Sequence, residues 1–598
     1  MPLALPFGPQ VHALGTRFTA YAPRAEQCAL VLYGADGSVV THAMARASEE
    51  GEGVFAVDVP GAGRGARYRF ALDGVELTDP YARFLPHGVH GPARVESLDF
   101  PWRHEALGWA EDLSIYELHV GTFTPEGTYR AATARLPHVA ALGVTAIELM
   151  PLAAFAGARG WGYDGVALFA PHAPYGTREE LAAFVDEAHA LGLRVLLDVV
   201  YNHFGPDGNY LRAFDRGAFH ADRGSPWGES PDFGNPHLRR YVLANVRYWL
   251  EELRFDGLRL DATEWIHDES APHVLAAIAA EAHALSPSRL VIAEDERNEP
   301  RLMTDLGLDG VWADDFHHQV HVALTGEKDG YYAAFDGTAA EIARTIEEGW
   351  SYSGEFYAPK GYVRGRSAEA LHARALVYCI QNHDQIGNRA VGERLPVIGS
   401  AAGLEAFLAA SFLLLTLPMT PLLFMGDEWA ATAPFLYFTD HEPELGRRVA
   451  EGRRAEFARF ARFGGEARAA TLPDPQALAT FTRSRLDWGE LERPPHARVL
   501  ALYRELLRLR RSDVVLRERS RATIRARAVG DLLVVDRGAG LARQGRRIVM
   551  NLGDRDVPLA PEVVGAGSVI LTSAEAGLPR GVMPRSTAAL YSVEGGSS

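Results

Sequence analysis

From about residue 113 to 428 the chain repeats one grammar: an amphipathic helix, a glycine or short turn, then an apolar strand whose charge arrives only at its end. Thr177 to Glu180 reads as a T-x-x-E capping box, with Leu181, Phe184, Val185 and Ala188 at helical spacing and Gly192 where the helix stops before the strand LRVLLDVV. The same order recurs in HVAALG before VTAIELM, in YVLANVRYWLEELRFDG before LRLDA, and in HVLAAIAAEAHALSPS before RLVIAED. Continuous apolar strands alternating with such helices require a parallel sheet covered by helices. The strand ends read ELMP, DVVYNH, RLDA, AED, QNHD and GDE. Polar groups at the carboxyl end of strand after strand predict a closed (β/α)₈ TIM barrel. An open doubly wound sheet would gather them at one switch point and begin with a G-x-G-x-x-G turn, which is not found.

The flanks follow a different period. CALVLYG, GVFAVDV and ARYRFALDG in the first hundred residues, and LLVVDR, RRIVMNL, SVILTS and AALYSV after about Ala522, are short β runs between glycines and charges. A chain of 598 residues is too long for one core. The expected division is an N-terminal β-sandwich over 1–108, a catalytic α/β barrel over 109–515 and a C-terminal β-sandwich over 520–598. With 47% hydrophobic and 23% charged residues the balance is that of a globular protein. A net charge of −17 repels phosphate backbones and anionic lipid, so neither nucleic acid nor a membrane surface is an expected partner. Ala406 to Met425 is uncharged over about the length of a membrane span, but Pro418 and Pro421 split it into a helix-like part and a short strand. Cys28 and Cys379, far apart in sequence, read as buried free thiols. With no basic segment or long apolar stretch before Arg17, they predict a cytoplasmic protein.

Cleaving an acetal takes one carboxylic acid to protonate the leaving oxygen and a second to stabilise or trap the oxocarbenium-like carbon. Asp261 ends FDGLRLDA and Glu294 ends RLVIAED, so the two close consecutive strands and can face each other across the short gap of a retaining glycosidase. Asp384, in QNHDQIGN, closes a later strand. Acids that share a cleft repel, so the least solvated keeps a proton, and Glu294 is assigned that role. Arg259 lies two residues before Asp261 and therefore points to the same side of the strand, where it can keep Asp261 anionic. Any one of these acids alone is as well explained as a helix cap or surface charge; three at strand ends, each beside His, Arg or Asn, are not.

The runs DVVYNH (198–203), GLRLDA (257–262), AED (293–295) and QNHD (381–384) resemble, in order and spacing, the four signature regions of the α-amylase superfamily of glycoside hydrolases. That resemblance implies Asp261 as nucleophile, Glu294 as proton donor and Asp384 as the acid that binds sugar hydroxyls at the transition state. It further implies that Asp198, His203 and His383 contact the sugar in the −1 subsite, that Arg259 orients the nucleophile, and that Tyr163 of WGYD stacks on that sugar. An apolar sugar face covered by an aromatic ring, with hydroxyls held by charged or imidazole partners, fits those roles. Trp161, Tyr201, Phe204, Trp227, Trp265 and Trp429 lie near the same strand ends, with core packing the commoner fate of each. The cluster His317, His318 and His321 invites a metal reading but lacks H-E-x-x-H spacing. Relatives in the superfamily hold calcium through the Asn of the first region, here Asn202, but the long insertion that completes such a site is not obvious after His203; no metal and no cofactor is expected.

The β-rich leader is similar to that of branching, debranching and trehalose-releasing members of the superfamily. The motifs ELHVGTFTPEGT, ARGWGYDGV, VVYNHFGPDGNYL, DDFHHQVHVALTGE and FTDHEPELGRRVAEGRR look most like the trehalose-releasing hydrolases. On that likeness the substrate is a maltooligosyltrehalose, cut at the α-1,4 bond beside its terminal trehalose, and the chain would act after an enzyme that forms this substrate. The trehalose unit would fill the +1 and +2 subsites, with Asp295, Glu296, Asp314, Asp315 and His317 as its expected contacts. TEWI after Ala262 and AEDERNEP in the third region depart from the usual pattern and leave those contacts open. A branching or debranching enzyme would use the same acids. A non-catalytic glucan-binding protein would have lost one of them, and none is missing.

Overall fold

The structure, a computed structural model, describes residues 6–593 apart from 226, 399–402, 458–471, 539–544 and 566. Met1 to Leu5, the start of the segment read for a leader, lie outside the described residues.

Eight parallel strands form a closed barrel: β1 (Ile115–Leu118), β2 (Ala146–Leu149), β3 (Arg194–Val199), β4 (Gly257–Leu260), β5 (Leu290–Glu294), β6 (Gly310–Trp312), β7 (Leu376–Cys379) and β8 (Thr420–Phe424). Neighbours in the ring follow chain order, and β8 closes on β1 with Ile115 opposite Leu422. The capping box reads out as expected: the Thr177 hydroxyl accepts from the Glu180 N–H, the Glu180 carboxylate accepts from the Thr177 N–H, and helix Arg178–Ala190 follows. Helix Leu136–Leu142 stops at Gly143, whose φ of 105° suits glycine. The apolar segment after 403 divides into helix Gly403–Thr416 and strand β8. Among the described residues no helix is long and apolar enough to cross a membrane.

The N-terminal module is two facing antiparallel sheets, one built on Gly15–Tyr21 and Val54–Pro60, the other on Cys28–Tyr33 and Arg67–Leu72. Phe18, Leu30, Phe55, Tyr68 and Phe70 fill the space between them. It docks on the barrel where Tyr21 stacks on His237 at 3.7 Å and the Tyr241 hydroxyl donates to the Pro80 carbonyl.

The C-terminal module is chiefly β and packs on both faces of its main sheet. Its main element is one five-stranded antiparallel sheet, and alternate residues serve two cores. Leu533, Val535, Ile548, Met550, Ala588 and Leu590 join the core of the barrel, while Leu532, Val534, Val549, Ala589 and Tyr591 face a small cluster closed by Val563 and Met583. A two-stranded sheet, Val557–Pro558 with Val582–Met583, covers the outer face of the main sheet, and the barrel covers the inner one. Cys28 and Cys379 are both buried free thiols.

Candidate active site

The carboxyl ends of β3, β4 and β5 meet at one buried guanidinium. Arg259, on β4, is fully buried. Its Nη1 donates to both oxygens of Asp198 on β3 (2.9 and 2.8 Å) and to Asp261 Oδ1 (2.9 Å), and its Nη2 lies 2.8 Å from Glu294 Oε2 at the end of β5. Arg259 Cζ sits 4.3 Å from the centre of the Trp312 ring, which fixes the plane of the fork from the β6 side. Asp261 Oδ2 accepts from Asn202 Nδ2 at 3.0 Å. Immediately after Asp261 the chain turns left-handed at Ala262 (φ 38°), a costly conformation for a residue with a Cβ. That turn aims the Ala262 N–H at Glu294 Oε2, 3.0 Å away. One oxygen of Glu294 therefore lies between Arg259 and a backbone donor.

Asp384 and His383 enter from beyond β7. His383 Nδ1 lies 2.5 Å from Glu117 Oε1, and its Nε2 lies 2.7 Å from the Tyr163 hydroxyl and 3.5 Å from Asp384 Oδ1. Tyr163 also donates to Asp198 Oδ2 at 2.6 Å and stacks on the His383 ring at 5.2 Å. His203 Nδ1 pairs with Asn202 Oδ1 at 2.7 Å and its Nε2 with the Tyr163 carbonyl at 2.9 Å. Gly387, in the same QNHDQIGN run, has no room for a side chain: a Cβ would come within 2.1 Å of the Trp161 ring.

Electrostatics sort these groups. Burial raises the Glu294 pKa against the pull of Arg259, with the nearby Asp261 charge adding to the rise. Burial likewise lifts Asp384, opposed by His383. Asp198 is pushed up to about 7 by burial, against the attraction of Arg259. His203 is lowered by burial, opposed by the Asp164 charge and the contact to the Tyr163 carbonyl.

The residues expected on the leaving side scatter. Asp314 faces the cleft acids and is raised to about 7, chiefly by burial and then by Glu294 and Asp384. Glu296 sits at the rim beside Lys360, and its carbonyl accepts from Arg364 Nε at 2.6 Å. Asp295 is buried, chelated by Arg297 and accepting from the Thr263 hydroxyl at 2.8 Å. Asp315 and His317 are not brought to the cleft. Asp315 Oδ2 accepts from Asn298 Nδ2 (2.8 Å) and the Ser351 N–H (2.8 Å), while Oδ1 lies 3.0 Å from Arg364. His317 spends Nδ1 on the Ile380 carbonyl and Nε2 on the Tyr332 hydroxyl. Both sit on helix Asp315–Thr325, in its buried first turn.

Among the aromatics, Trp161, Tyr201, Phe204 and Trp429 are core, whereas Trp227 is 49% exposed and meets Trp265 and His203 edgewise or tilted at 5.7 and 5.6 Å. The reading from sequence missed Glu117 and gave Asn202 only a calcium role. Glu117 carried a signal, an acid in the middle of the apolar run SIYELHV. The Asn202 contact to Asp261 could not be foreseen, because it crosses from one strand end to the next.

Comparison with known proteins agrees with this architecture. The model for the alpha amylase catalytic domain matches residues 99–222, and that for carbohydrate-binding module 48, the isoamylase N-terminal domain, matches 6–82. A 1.4 Å crystal structure from Salmonella typhimurium, provisionally described as an alpha amylase, superposes with a TM-score of 0.89 at 36% identity, covering 99% of this chain and 100% of that one. The malto-oligosyltrehalose trehalohydrolase of Rhizobium sp. (strain M-11) is 44% identical over 84% of this chain and 85% of its own length. That of Deinococcus radiodurans is 51% identical over 90% of this chain and 88% of its own length. A closed barrel carrying three acids around one arginine, joined to likeness on that scale, establishes that the chain belongs to the malto-oligosyltrehalose trehalohydrolase family, glycoside hydrolases of the α-amylase superfamily.

Proposed function

We propose that the protein hydrolyses the α-1,4-glucosidic bond beside the terminal α,α-trehalose of a maltooligosyltrehalose, releasing trehalose, with retention at the cleaved carbon. The single observation that carries the retaining mechanism is the Arg259 fork, which holds Asp261 Oδ1 and Glu294 Oε2 on its two terminal nitrogens at 2.9 and 2.8 Å. Two carboxyl groups on one guanidinium lie too close for an inverting enzyme's water between sugar and base, and fit the roughly 5 Å spacing of a retaining pair.

In the first step Glu294 gives its proton to the glycosidic oxygen as Asp261 attacks the anomeric carbon; trehalose leaves and a glycosyl ester forms. In the second, the Glu294 carboxylate takes a proton from water, the water oxygen attacks the same carbon, and Asp261 departs as the carboxylate. Arg259 orients Asp261 for attack and receives it again afterwards. Asp384 and His383 hold hydroxyls of the −1 sugar and Tyr163 covers its apolar face, while Asp198 and His203, whose polar atoms meet Arg259, Tyr163 and Asn202, fix that wall of the subsite. Asp314, Asp295 and Glu296 line the side where trehalose would sit; Asp315 and His317, with their polar atoms occupied, support that wall from behind. Two buried unpaired thiols favour a reducing compartment, the cytoplasm, where an enzyme that converts the reducing end of an α-glucan to a trehalose end would supply the substrate.

Incubation with a maltooligosyltrehalose and chromatography for free trehalose tests the reading. Proton NMR of the first product should show the α-anomer. Branched glucan from amylose, with no trehalose from the proper substrate, would replace this proposal by a transferase. A trehalose soak in which neither Asp314, Asp295 nor Glu296 came within hydrogen-bond distance of the disaccharide would remove the leaving-side assignment alone.

A further inference from the structure

The mechanism leaves one buried acid unused. Glu117 lies inside β1, in a strand whose four residues are all buried, and its side chain and that of His383 are each 1% exposed. One carboxyl group grips a single residue twice: Oε2 accepts from the His383 backbone N–H at 3.0 Å and Oε1 meets ring Nδ1 at 2.5 Å. The ring is thereby fixed in orientation, with Nδ1–H spent on Glu117 and Nε2 turned to the cleft.

Proton counting then decides the state of Nε2. The Tyr163 hydroxyl has one proton, and its closest acceptor is Asp198 Oδ2 at 2.6 Å. With that proton given to Asp198, the 2.7 Å contact from His383 Nε2 to the same hydroxyl oxygen needs a proton on Nε2. So does its approach to Asp384 Oδ1.

We infer that Glu117 is a positioning residue that keeps His383 doubly protonated, so that Nε2–H is presented to the bound sugar as a hydrogen-bond donor. The inference rests on the proposal that this cleft is where the glycoside is cut. The groups facing His383 agree with it. Asp384 follows it in the chain, Glu117 comes from β1, Arg259 from β4, Glu294 from β5, Tyr163 from the loop after β2, and His119 from just beyond β1. Burial by itself would lower the imidazole pKa, but the Glu117 charge, then Asp384 and the hydrogen bond to Glu117, carry it up to about 10. His119 is lowered to about 4, by burial and then by the His383 charge, and stays neutral. Glu148, directly opposite Glu117 on β2, has no hydrogen-bond partner on either oxygen among the described residues. Burial, and after it the charge of Glu117, pushes its pKa well up. Of these two adjacent acids Glu117 is hydrogen-bonded to the imidazole, while Arg259 and His383 act on Glu148 only at longer range.

The test uses the full chain and compares wild type with Glu117→Gln, Glu117→Asp and Glu148→Gln. The first readout is kcat for trehalose release against pH. An imidazole that has lost its anion should titrate near its ordinary value, so the alkaline limb of Glu117→Gln should move down by about one pH unit or more. At pH 8 it should be slowed about 10- to 100-fold, with several-fold loss at pH 5.5 and little change in KM. Glu117→Asp should recover part of the limb, and Glu148→Gln should leave it in place.

The second readout is independent of turnover. A histidine whose folded pKa is raised stabilises the fold fully below its unfolded value of about 6.5, and loses that contribution as pH rises through about 10. The difference in thermal midpoint between wild type and Glu117→Gln should therefore narrow across that window. Should the Gln variant fail to fold, the Asp variant supplies the same comparison with a smaller shift. A loss of rate equal at every pH together with a constant gap in midpoint would overturn the inference, as would a Glu148→Gln enzyme that behaved like Glu117→Gln. Wild type without trehalose release would instead sink the functional reading, and the midpoints would still decide the state of His383.

Discussion

The rims of β4–β5 and of β6 carry the same residue types and do different things. At β4–β5, Asp261 and Glu294 share one buried arginine, and side chains 13% and 20% exposed keep a path to the cleft. At β6, Asp315 also pairs with a buried arginine, Arg364, but both its oxygens are occupied and its side chain is fully buried. An acid can do chemistry only if its side chain keeps an exposed edge where substrate arrives, as Asp261 does although both its oxygens have donors. An acid enclosed by donors contributes to the fold instead.

The largest effect that can break this contrast is on rate. Glu294→Gln and Asp261→Asn should each lower kcat by about 10⁴-fold or more while substrate binding, measured by calorimetry, changes little. Asp315→Asn should keep kcat within about tenfold of wild type; a loss as deep as that of Glu294→Gln would erase the distinction between the rims. On stability the order reverses. Asp315→Ala takes the carboxylate away from Arg364 Nη2 and from the Ser351 and Tyr352 N–H groups, and should cost about 3–5 kcal/mol in denaturant unfolding.

A smaller effect concerns Asp314, which stands between the two rims. Its pKa is raised by burial to about 7, so the folded state holds its proton more tightly than the unfolded chain, where the value is about 3.8. Its contribution is fully present below pH 3.8 and is lost as pH rises through about 7. Asp314→Asn should therefore show a shallower fall in thermal midpoint across that window, a difference of a few degrees at most. The smallest change is expected at Trp227, half-exposed over His203. Trp227→Ala should raise KM about two- to tenfold with kcat nearly unchanged, the cost of one aromatic contact to a sugar.

Much of this was legible because it is local. Apolar runs that end in charge, helices with caps at one end and glycine at the other, and the i, i+2 relation of Arg259 to Asp261 are all written within a few residues. The alternation in the C-terminal strands was equally plain, yet it could not say that the inner face of that sheet would pack on the barrel. His317 and Asp315 illustrate the limit: an acid and an imidazole beside a strand end look the same whether their polar atoms meet substrate, a carbonyl such as that of Ile380, or the guanidinium of Arg364.

The sequence by itself determined the barrel, its flanking β modules and which strand ends carry acid, since hydrophobic period and end-of-strand charge are properties of short segments. Only the closed ring decided which of those groups share a partner. Glu117 and His383 are 266 residues apart, and Asp198, Asp261 and Glu294 come from three strands, yet each set meets within hydrogen-bond reach. The physical reason is that pKa and hydrogen bonding depend on what surrounds a group in space, and in a barrel those surroundings are fixed by ring closure rather than by neighbours along the chain.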